Sequence, residues 1–353
     1  MNGSLCLQSR VVPTMSEPNI SQLVASLDSE DMLGFLRQFP SDFMAQMAQN
    51  EEMDTNTNVP RNLLCLGMGG SAAAGDFLAS LANYDGNSQV TTWRNYGLPN
   101  WTNSEVNVVA TSYSGNTEET LDGVAKAVER NLSLTVISSG GKLSTYPNHI
   151  SVPSGQPPRS AFGHLFGALL RNASMNGVVN YEELTGLQER LQETVEEFDF
   201  VNNPDSPTLS LAQTMIDKEI GIVTAHELDC AGTRFVNQLN ENGGVFARSN
   251  TLPEMNHNEI IAWTEEAAKQ SQTLIFLTWS GMHERTAKRV EWMMDNVDVE
   301  IAWQLHCEGE SLLEAMLYSC IAMDWISCAV AILRGKDPSA IGAIRNLKEF
   351  LSE

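Results

Sequence analysis

The sequence predicts an α/β protein built as two doubly wound parallel-sheet domains, packed together with connecting helices. Three observations carry that prediction. Short, continuously apolar runs such as Leu63–Leu66, Val106–Ala110 and Leu134–Ser138 have the length and character of parallel strands buried on both faces. Segments with helical spacing lie between them, as at Leu121, Val124, Ala125 and Val128. A second series of the same kind starts at Ile220, beyond a stretch punctuated by Pro204 and Pro207.

In chain order, residues 16–50 are predicted helical, with a break at Pro40-Ser41, and a polar loop runs from 50 to 60. Strand Leu63–Leu66, the turn Gly67-Met68-Gly69-Gly70-Ser71 and helix Ala72–Leu81 come next, then strands at Val90–Trp93 and Val106–Ala110. A helix to Arg130 and strand Leu134–Ser138 complete the first series. Pro153, Gly155, Pro157 and Pro158 interrupt the pattern before helices Phe162–Met175 and Tyr181–Phe198. The second series comprises strand Ile220–Thr224, helix Gly232–Leu239, strand Thr273–Trp279, helix Glu284–Asn296, strand Val299–Trp303, long helix Ser311–Leu333 and final helix Ile341–Leu351. The expected domains are therefore a disordered lead at 1–15 with Met15 as an alternative start, an N-terminal domain at 16–155, linking helices at 156–206 and a C-terminal domain at 207–353.

Composition narrows the function classes. A net charge of −23 excludes general affinity for nucleic acid, which needs clustered Lys and Arg. No membrane is expected as a partner: the most apolar segment, Leu312–Leu333, contains Glu314 and Asp324 and suits a core helix. The six cysteines are scattered without a C-x-x-C pair, so free thiols in a reducing cytoplasm are expected and a metal site is not.

The chemistry is concentrated at two strand-to-helix turns. Ser112-Tyr113-Ser114-Gly115-Asn116-Thr117 precedes a helix start, where unpaired backbone N–H groups and the helix dipole favour an anion and the hydroxyls add donors. Thr117 alone reads equally well as an ordinary helix cap. The other turn, Gly67-Met68-Gly69-Gly70-Ser71-Ala72, fits the G-x-G-x-x-A fingerprint of a dinucleotide site. Against that reading, the next strand ends Thr92-Trp93-Arg94 without the acidic residue that binds a ribose. Two phosphate turns on successive units suit a terminal phosphomonoester, whose three oxygens accept several hydrogen bonds.

These residues resemble a known family. Gly67–Ser71 with Ser112–Thr120 resembles the sugar isomerase (SIS) domain, specifically the archaeal-type bifunctional phosphoglucose/phosphomannose isomerases. Asn240-Glu241-Asn242, the block Leu252-Pro253-Glu254-Met255-Asn256-His257-Asn258-Glu259 and Ile344-Arg345-Asn346-Leu347-Lys348 resemble that family's further signatures, so the likeness runs from about 60 to 351. It implies two SIS-like domains and a metal-free, cofactor-free aldose–ketose isomerase. Its substrates would be fructose 6-phosphate, glucose 6-phosphate and mannose 6-phosphate. Gly70, Ser71, Ser112, Ser114 and Thr117 would hold the phosphate; Glu241 would be the base that moves the proton between C1 and C2; His257 and Lys348 would open the ring; Arg159 would stabilise the enediolate. The partner would be a small sugar phosphate, in a homodimer that lends His257 across its interface. Taken singly, each residue has a plainer reading: Glu241 as a solvated helix residue, His257 as a hydrogen-bonded loop histidine, Lys348 as a helix-end lysine, Arg159 as a loop brace. Only their joint occurrence argues for chemistry. The chain departs from the family where Gly243-Gly244 replaces Ala-Lys beside the base, and where Ala225-His226-Glu227 replaces a Tyr-Gly-rich loop. Two rival functions stand beside this one: an isomerase of another phosphosugar, and a non-catalytic sugar-phosphate sensor.

Overall fold

The computed structural model describes residues 20–49, 60–180, 184–265 and 271–351; the predicted lead at 1–15 lies outside them. The elements are α1 (Ile20–Leu27), α2 (Met32–Met47), β1 (Asn62–Leu66), α3 (Gly69–Asp85), β2 (Val90–Trp93), β3 (Val106–Thr111), α4 (Glu118–Glu129), β4 (Ser133–Ser138), β5 (His149–Ser151), α5 (Phe162–Met175) and α6 (Leu187–Phe198). They continue with α7 (Thr208–Gln213), β6 (Glu219–Ala225), α8 (Asp229–Gln238), β7 (Ala247–Leu252), α9 (Ile260–Thr264), β8 (Gln272–Trp279), α10 (Glu284–Asn296), β9 (Ile301–Cys307), α11 (Leu312–Leu333) and α12 (Gly342–Leu351).

The chain forms two compact units. One spans Arg37–Gln192; the other joins the segment up to Leu36 to Glu193–Glu353. These limits differ from the predicted domain ends at 155 and 206. Helix α5, expected as a linker, belongs to the first unit because Phe162 and Phe166 stack on each other and pack against Phe39, Phe43 and Phe77. The same packing explains a second difference. Pro40 does not break α2 but sits within it, where the buried Phe39 and Phe43 on either side fasten the helix.

The first unit holds a five-stranded parallel sheet in the order β2-β1-β3-β4-β5. Its core includes Leu64, Leu66, Val108, Ala110 and Val136 from the strands, with Val124 and Ala127 from α4. The chain leaves β1 for β2 on one side and returns to β3 on the other, so the crossovers diverge between β1 and β3.

The second unit holds a four-stranded parallel sheet, β7-β6-β8-β9. Val223, Leu252, Leu274 and Phe276 form its core with Trp263, Val290 and Met293. Helix α11 is buried along nearly its whole length, and it is the one described helix long and apolar enough to cross a membrane. Its Asp324 lies inside the unit, where Arg234 Nη2 and Gln238 Nε2 of α8 donate to its carboxylate at 2.8 and 2.7 Å. The five cysteines in the described residues are buried.

Candidate functional site

In the first unit, Leu66 and Ala110 are register partners, so β1 and β3 end side by side and their following turns emerge together. Ser71 Oγ accepts a hydrogen bond from Tyr113 N at 3.3 Å, which ties the glycine turn to the serine turn. Helix α3 starts at Gly69, so the glycine turn passes directly into the helix's first turn; Gly69 has φ +52°. Ser112 is buried and its Oγ lies 2.8 Å from Thr117 Oγ1; Ser114 is exposed, and its Oγ accepts from Asn116 N at 3.2 Å. Thr117 is the residue before α4, yet its side chain makes no capping bond. Its hydroxyl faces Ser112 instead, which favours the anion reading over the plain cap.

The turn's shape is imposed by packing. Gly115 has φ +66°, and a side chain there would run into the Gly140 carbonyl. Gly115 O accepts from Leu143 N at 3.0 Å, and Asn116 Oδ1 accepts from Lys142 N at 3.0 Å. From behind, Tyr113 OH accepts from Gln156 N at 3.1 Å. Gln156 Nε2 donates to Asp42 Oδ2 at 2.8 Å, and His164 Nε2 lies 3.3 Å from the same carboxylate oxygen. Burial raises the Tyr113 phenol above its ordinary range, so it remains a neutral hydroxyl. This buried network fixes the loop that carries Arg159, itself only 8% exposed. Pro158 O comes within 3.9 Å of where a side chain on Gly70 would begin. Gly70, Ser71, Ser112, Ser114, Thr117 and Arg159 are thus all carried by this one unit, on the first turn of α3, the serine turn and the loop before α5.

Glu241, His257 and Lys348 belong to the other unit and stand on three separate elements. Glu241, partly buried, lies in a single wide helical turn, Leu239–Gly243, that extends α8. Wide turns of this kind are rare and frequently functional. Asn242 fastens it to α11 by donating to Ser327 Oγ at 2.9 Å. Gly243 sits tightly there, because a Cβ would come within 2.9 Å of Val330 Cγ1 and force one of them to shift. Gly244 ends the turn at φ +59°, and Lys336 Nζ occupies the space its side chain would take. An ammonium therefore stands next to Gly244, where the family pattern has a lysine. His257 ends the short turn Glu254–His257 and is exposed. Its neighbours hold it: Met255 is fully buried, and Glu259 accepts from Asn250 Nδ2 at 2.8 Å and Trp263 Nε1 at 2.6 Å while pairing with Arg248. Most of the His-Asn-Glu block is thus scaffold around one presented imidazole. Lys348 lies in the last turn of α12, a helix without buried residues that exposes Leu347, Phe350 and Leu351.

The dinucleotide reading loses its support. The first sheet has β3 beside β1, unlike the 3-2-1 order of the dinucleotide fold. Arg94, the residue that would meet a 2′-phosphate, is held by both carboxylate oxygens of Asp76.

Sequence reasoning missed β5, β7, α7 and the wide turn around Glu241. β5 and β7 are edge strands, the latter reading Ala-Arg-Ser-Asn-Thr-Leu with four of its positions at least partly exposed. An edge strand has one neighbour and needs no continuous apolar run. Pro207, read as a linker, stands at the start of α7, where its fixed φ suits a helix entry.

The family profile described as the bacterial phospho-glucose isomerase C-terminal SIS domain matches residues 205–351. The bifunctional phosphoglucose/phosphomannose isomerase of Thermoplasma acidophilum is 28% identical, over 82% of this chain and 90% of its own. The D-glucosamine-6-phosphate 4-epimerase of Sulfolobus acidocaldarius is 33% identical over 58% of this chain and 64% of its own. Among solved structures, the C-terminal domain of glucosamine-fructose-6-phosphate aminotransferase from Francisella tularensis superposes with a TM-score of 0.67 at 13% identity, covering 87% of this chain and 96% of that domain. The fold, the two turns at the β1/β3 divergence and the sequence comparisons agree: along most of its length the chain is similar to bifunctional phosphoglucose/phosphomannose isomerases, and its C-terminal part matches the SIS-domain profile of a phospho-glucose isomerase.

Proposed function

We propose that the chain interconverts fructose 6-phosphate with glucose 6-phosphate and mannose 6-phosphate without a metal or other cofactor. The observation that carries the proposal is the pairing of the two hydroxyl turns at the end of the first sheet, through Tyr113 N and Ser71 Oγ. There Gly70, Ser71, Ser112, Ser114 and Thr117 hold the phosphate, with Thr117 and Ser114 reaching it and the buried Ser112 bracing Thr117. Glu241 takes the C1 proton of the open-chain ketose as the enediolate forms, and returns a proton to C2 as the C1 carbonyl forms. The face of C2 that receives it decides between the glucose and mannose configurations. Arg159 stabilises the enediolate charge, and His257 and Lys348 exchange protons with the ring oxygen and the anomeric hydroxyl.

We propose further that the enzyme is a cytoplasmic homodimer in which His257 serves the partner's site. The exposed, tightly braced turn of His257 supports this reading. Mixing Glu241→Gln with His257→Ala protomers tests it: exchange between the two inactive dimers restores activity only if the histidine is lent across. An unrestored mixture of exchanged subunits overturns the lending.

The substrate is tested by coupled assays on hexose, pentose and amino-sugar phosphates, before and after treatment with a chelator. Turnover of the three named hexose phosphates, unchanged by the chelator, is expected. The Sulfolobus epimerase relative favours a second reading, an amino-sugar phosphate substrate; preferential turnover of glucosamine 6-phosphate would establish it. Binding without turnover on the whole panel would point to a sensor and overturn both.

A further inference from the structure

Helix α10 sorts its charges by face. Arg285, Lys288, Arg289 and Trp292 recur at helical spacing and share one stripe, while Glu284, Glu291 and Asp295 form the neighbouring one. Val290 and Met293 are buried and supply the core side of the helix. The basic stripe does not simply face open water. Together with Asn256 and Ile260 it lines a cavity of about 380 Å³, in the size range of small-molecule sites.

A solvated helix face is the plain alternative, and composition argues against it. With 44 acidic residues against 21 basic ones, an unselected surface pocket here would draw carboxylates, yet the three charged residues lining this one are all basic. Lys288 pairs along the helix with Glu284, which reaches it from the flank at 3.6 Å. The pocket is also organised internally. Arg289 Nη1 donates to Asn256 Oδ1 at 3.1 Å, and Asn256 Nδ2 is in turn 3.2 Å from Met293 Sδ, so one guanidinium is held in place before any ligand arrives. Trp292, 49% exposed, offers a flat aromatic face beside the cations.

We propose that this pocket is a second anion site of the protein, binding a small molecule that carries a phosphate next to a ring. Arg285, Lys288 and Arg289 take the phosphate, the guanidinium groups offering paired donors to its oxygens, and Trp292 packs on the ring. A sugar phosphate and a nucleotide share this chemistry. The site is built from α9, α10 and the turn before His257, none of which contributes to the serine turns.

Calorimetric titration of the full chain at low salt, with inorganic phosphate, ribose 5-phosphate and adenosine monophosphate as separate probes, tests the proposal. A saturable site is expected that weakens at least tenfold in Arg285→Gln/Arg289→Gln, while the KM for fructose 6-phosphate changes less than about twofold. Trp292→Ala should weaken the ring-bearing probes more than inorganic phosphate. A larger loss for adenosine monophosphate identifies a nucleotide, and an equal loss for ribose 5-phosphate a sugar phosphate. Unfolding midpoints of the variants, and partial rescue in Arg285→Lys/Arg289→Lys, separate lost binding from lost fold. Equal binding of all three probes by wild type and the double glutamine variant would overturn the proposal. So would binding abolished by Ser71→Ala/Thr117→Ala alone.

Discussion

The two sheets follow the same plan and are put to different uses. β2-β1-β3-β4 and β7-β6-β8-β9 share the order second, first, third, fourth, so each sheet has a divergence point at the carboxyl ends of its first and third strands. At the first, two hydroxyl-bearing turns meet. At the second, the chain after β6 reads His226-Glu227, and Glu227 Oε1 accepts a hydrogen bond from Trp279 Nε1 at the end of β8, at 2.8 Å. A carboxylate fixed there repels a phosphate. Topology supplies a crevice twice, and side chains equip only the first with paired hydroxyl turns. The second unit instead presents Glu241, His257 and Lys348 on the wide turn after α8, the turn after β7 and α12.

The largest expected effect tests that division of labour. Glu241→Gln keeps the shape of the wide turn and removes the proposed base, so turnover should fall by about a thousandfold or more with KM little changed. Steady-state kinetics on fructose 6-phosphate decides it. A variant within tenfold of wild type would mean that the second unit does not hold the proton-transfer base.

The next effect concerns how the second unit holds Glu241. Gly243→Ala forces a methyl group toward Val330, and overpacking of this kind costs about 1–3 kcal/mol. Denaturant unfolding should show that loss, with reduced turnover because the turn must move. Gly244→Ala meets mainly the flexible end of Lys336 but has to adopt φ +59°. Equal stability of Gly243→Ala and wild type would show that the turn is not pinned against α11.

The residues themselves explain what the sequence could and could not reveal. Both sheets were legible at their centres, where Leu63–Leu66 and Leu274–Leu277 are buried on both faces and therefore apolar throughout. Two of the four edge strands were not, because β5 and β7 are polar enough to resemble loops, whereas the edges β2 and β9 were read. The serine and glycine turns were legible because glycines and hydroxyl residues cluster there directly before a helix start. The support behind them was not: Asp42, Gln156 and His164 come together from α2, a loop and α5, and no local spacing links them. Likewise Gly243-Gly244 read as a lost lysine. That Lys336, far along the chain, fills the space over Gly244 is visible only in three dimensions.

The contrast between the two divergence points is sharpened by paired substitutions. Ser71→Ala and Thr117→Ala should each raise KM for a sugar phosphate by roughly tenfold, the loss of one hydrogen bond to a charged group. Glu227→Gln, at the equivalent place in the second sheet, should change KM by less than about twofold. Were Glu227→Gln to shift KM as strongly as Ser71→Ala, the second crevice would be part of the phosphate site after all.

The smallest effect lies behind the first unit's turns. His164 is 4% exposed, and burial holds its pKa below the ordinary value of 6.5 even though Asp42, 3.3 Å away, pulls the other way. The folded protein therefore keeps His164 neutral at a pH where the unfolded chain already takes up a proton. The contribution is fully present above 6.5 and shrinks as the pH falls from there toward the lowered folded value, since protons then favour the unfolded state. Many carboxylates also titrate lower down, so the informative quantity is the difference between wild type and His164→Gln, whose amide can still donate to Asp42. Unfolding midpoints at pH 7.5 and 5.5 should fall more for wild type than for the glutamine variant. Because Gln156 joins Asp42 to Tyr113, the same acidification should raise wild-type KM for a sugar phosphate before it alters turnover. Parallel pH profiles for the two proteins would show that His164 only fills space, and that the rigidity of the serine turn comes from Gln156 and Asp42 alone.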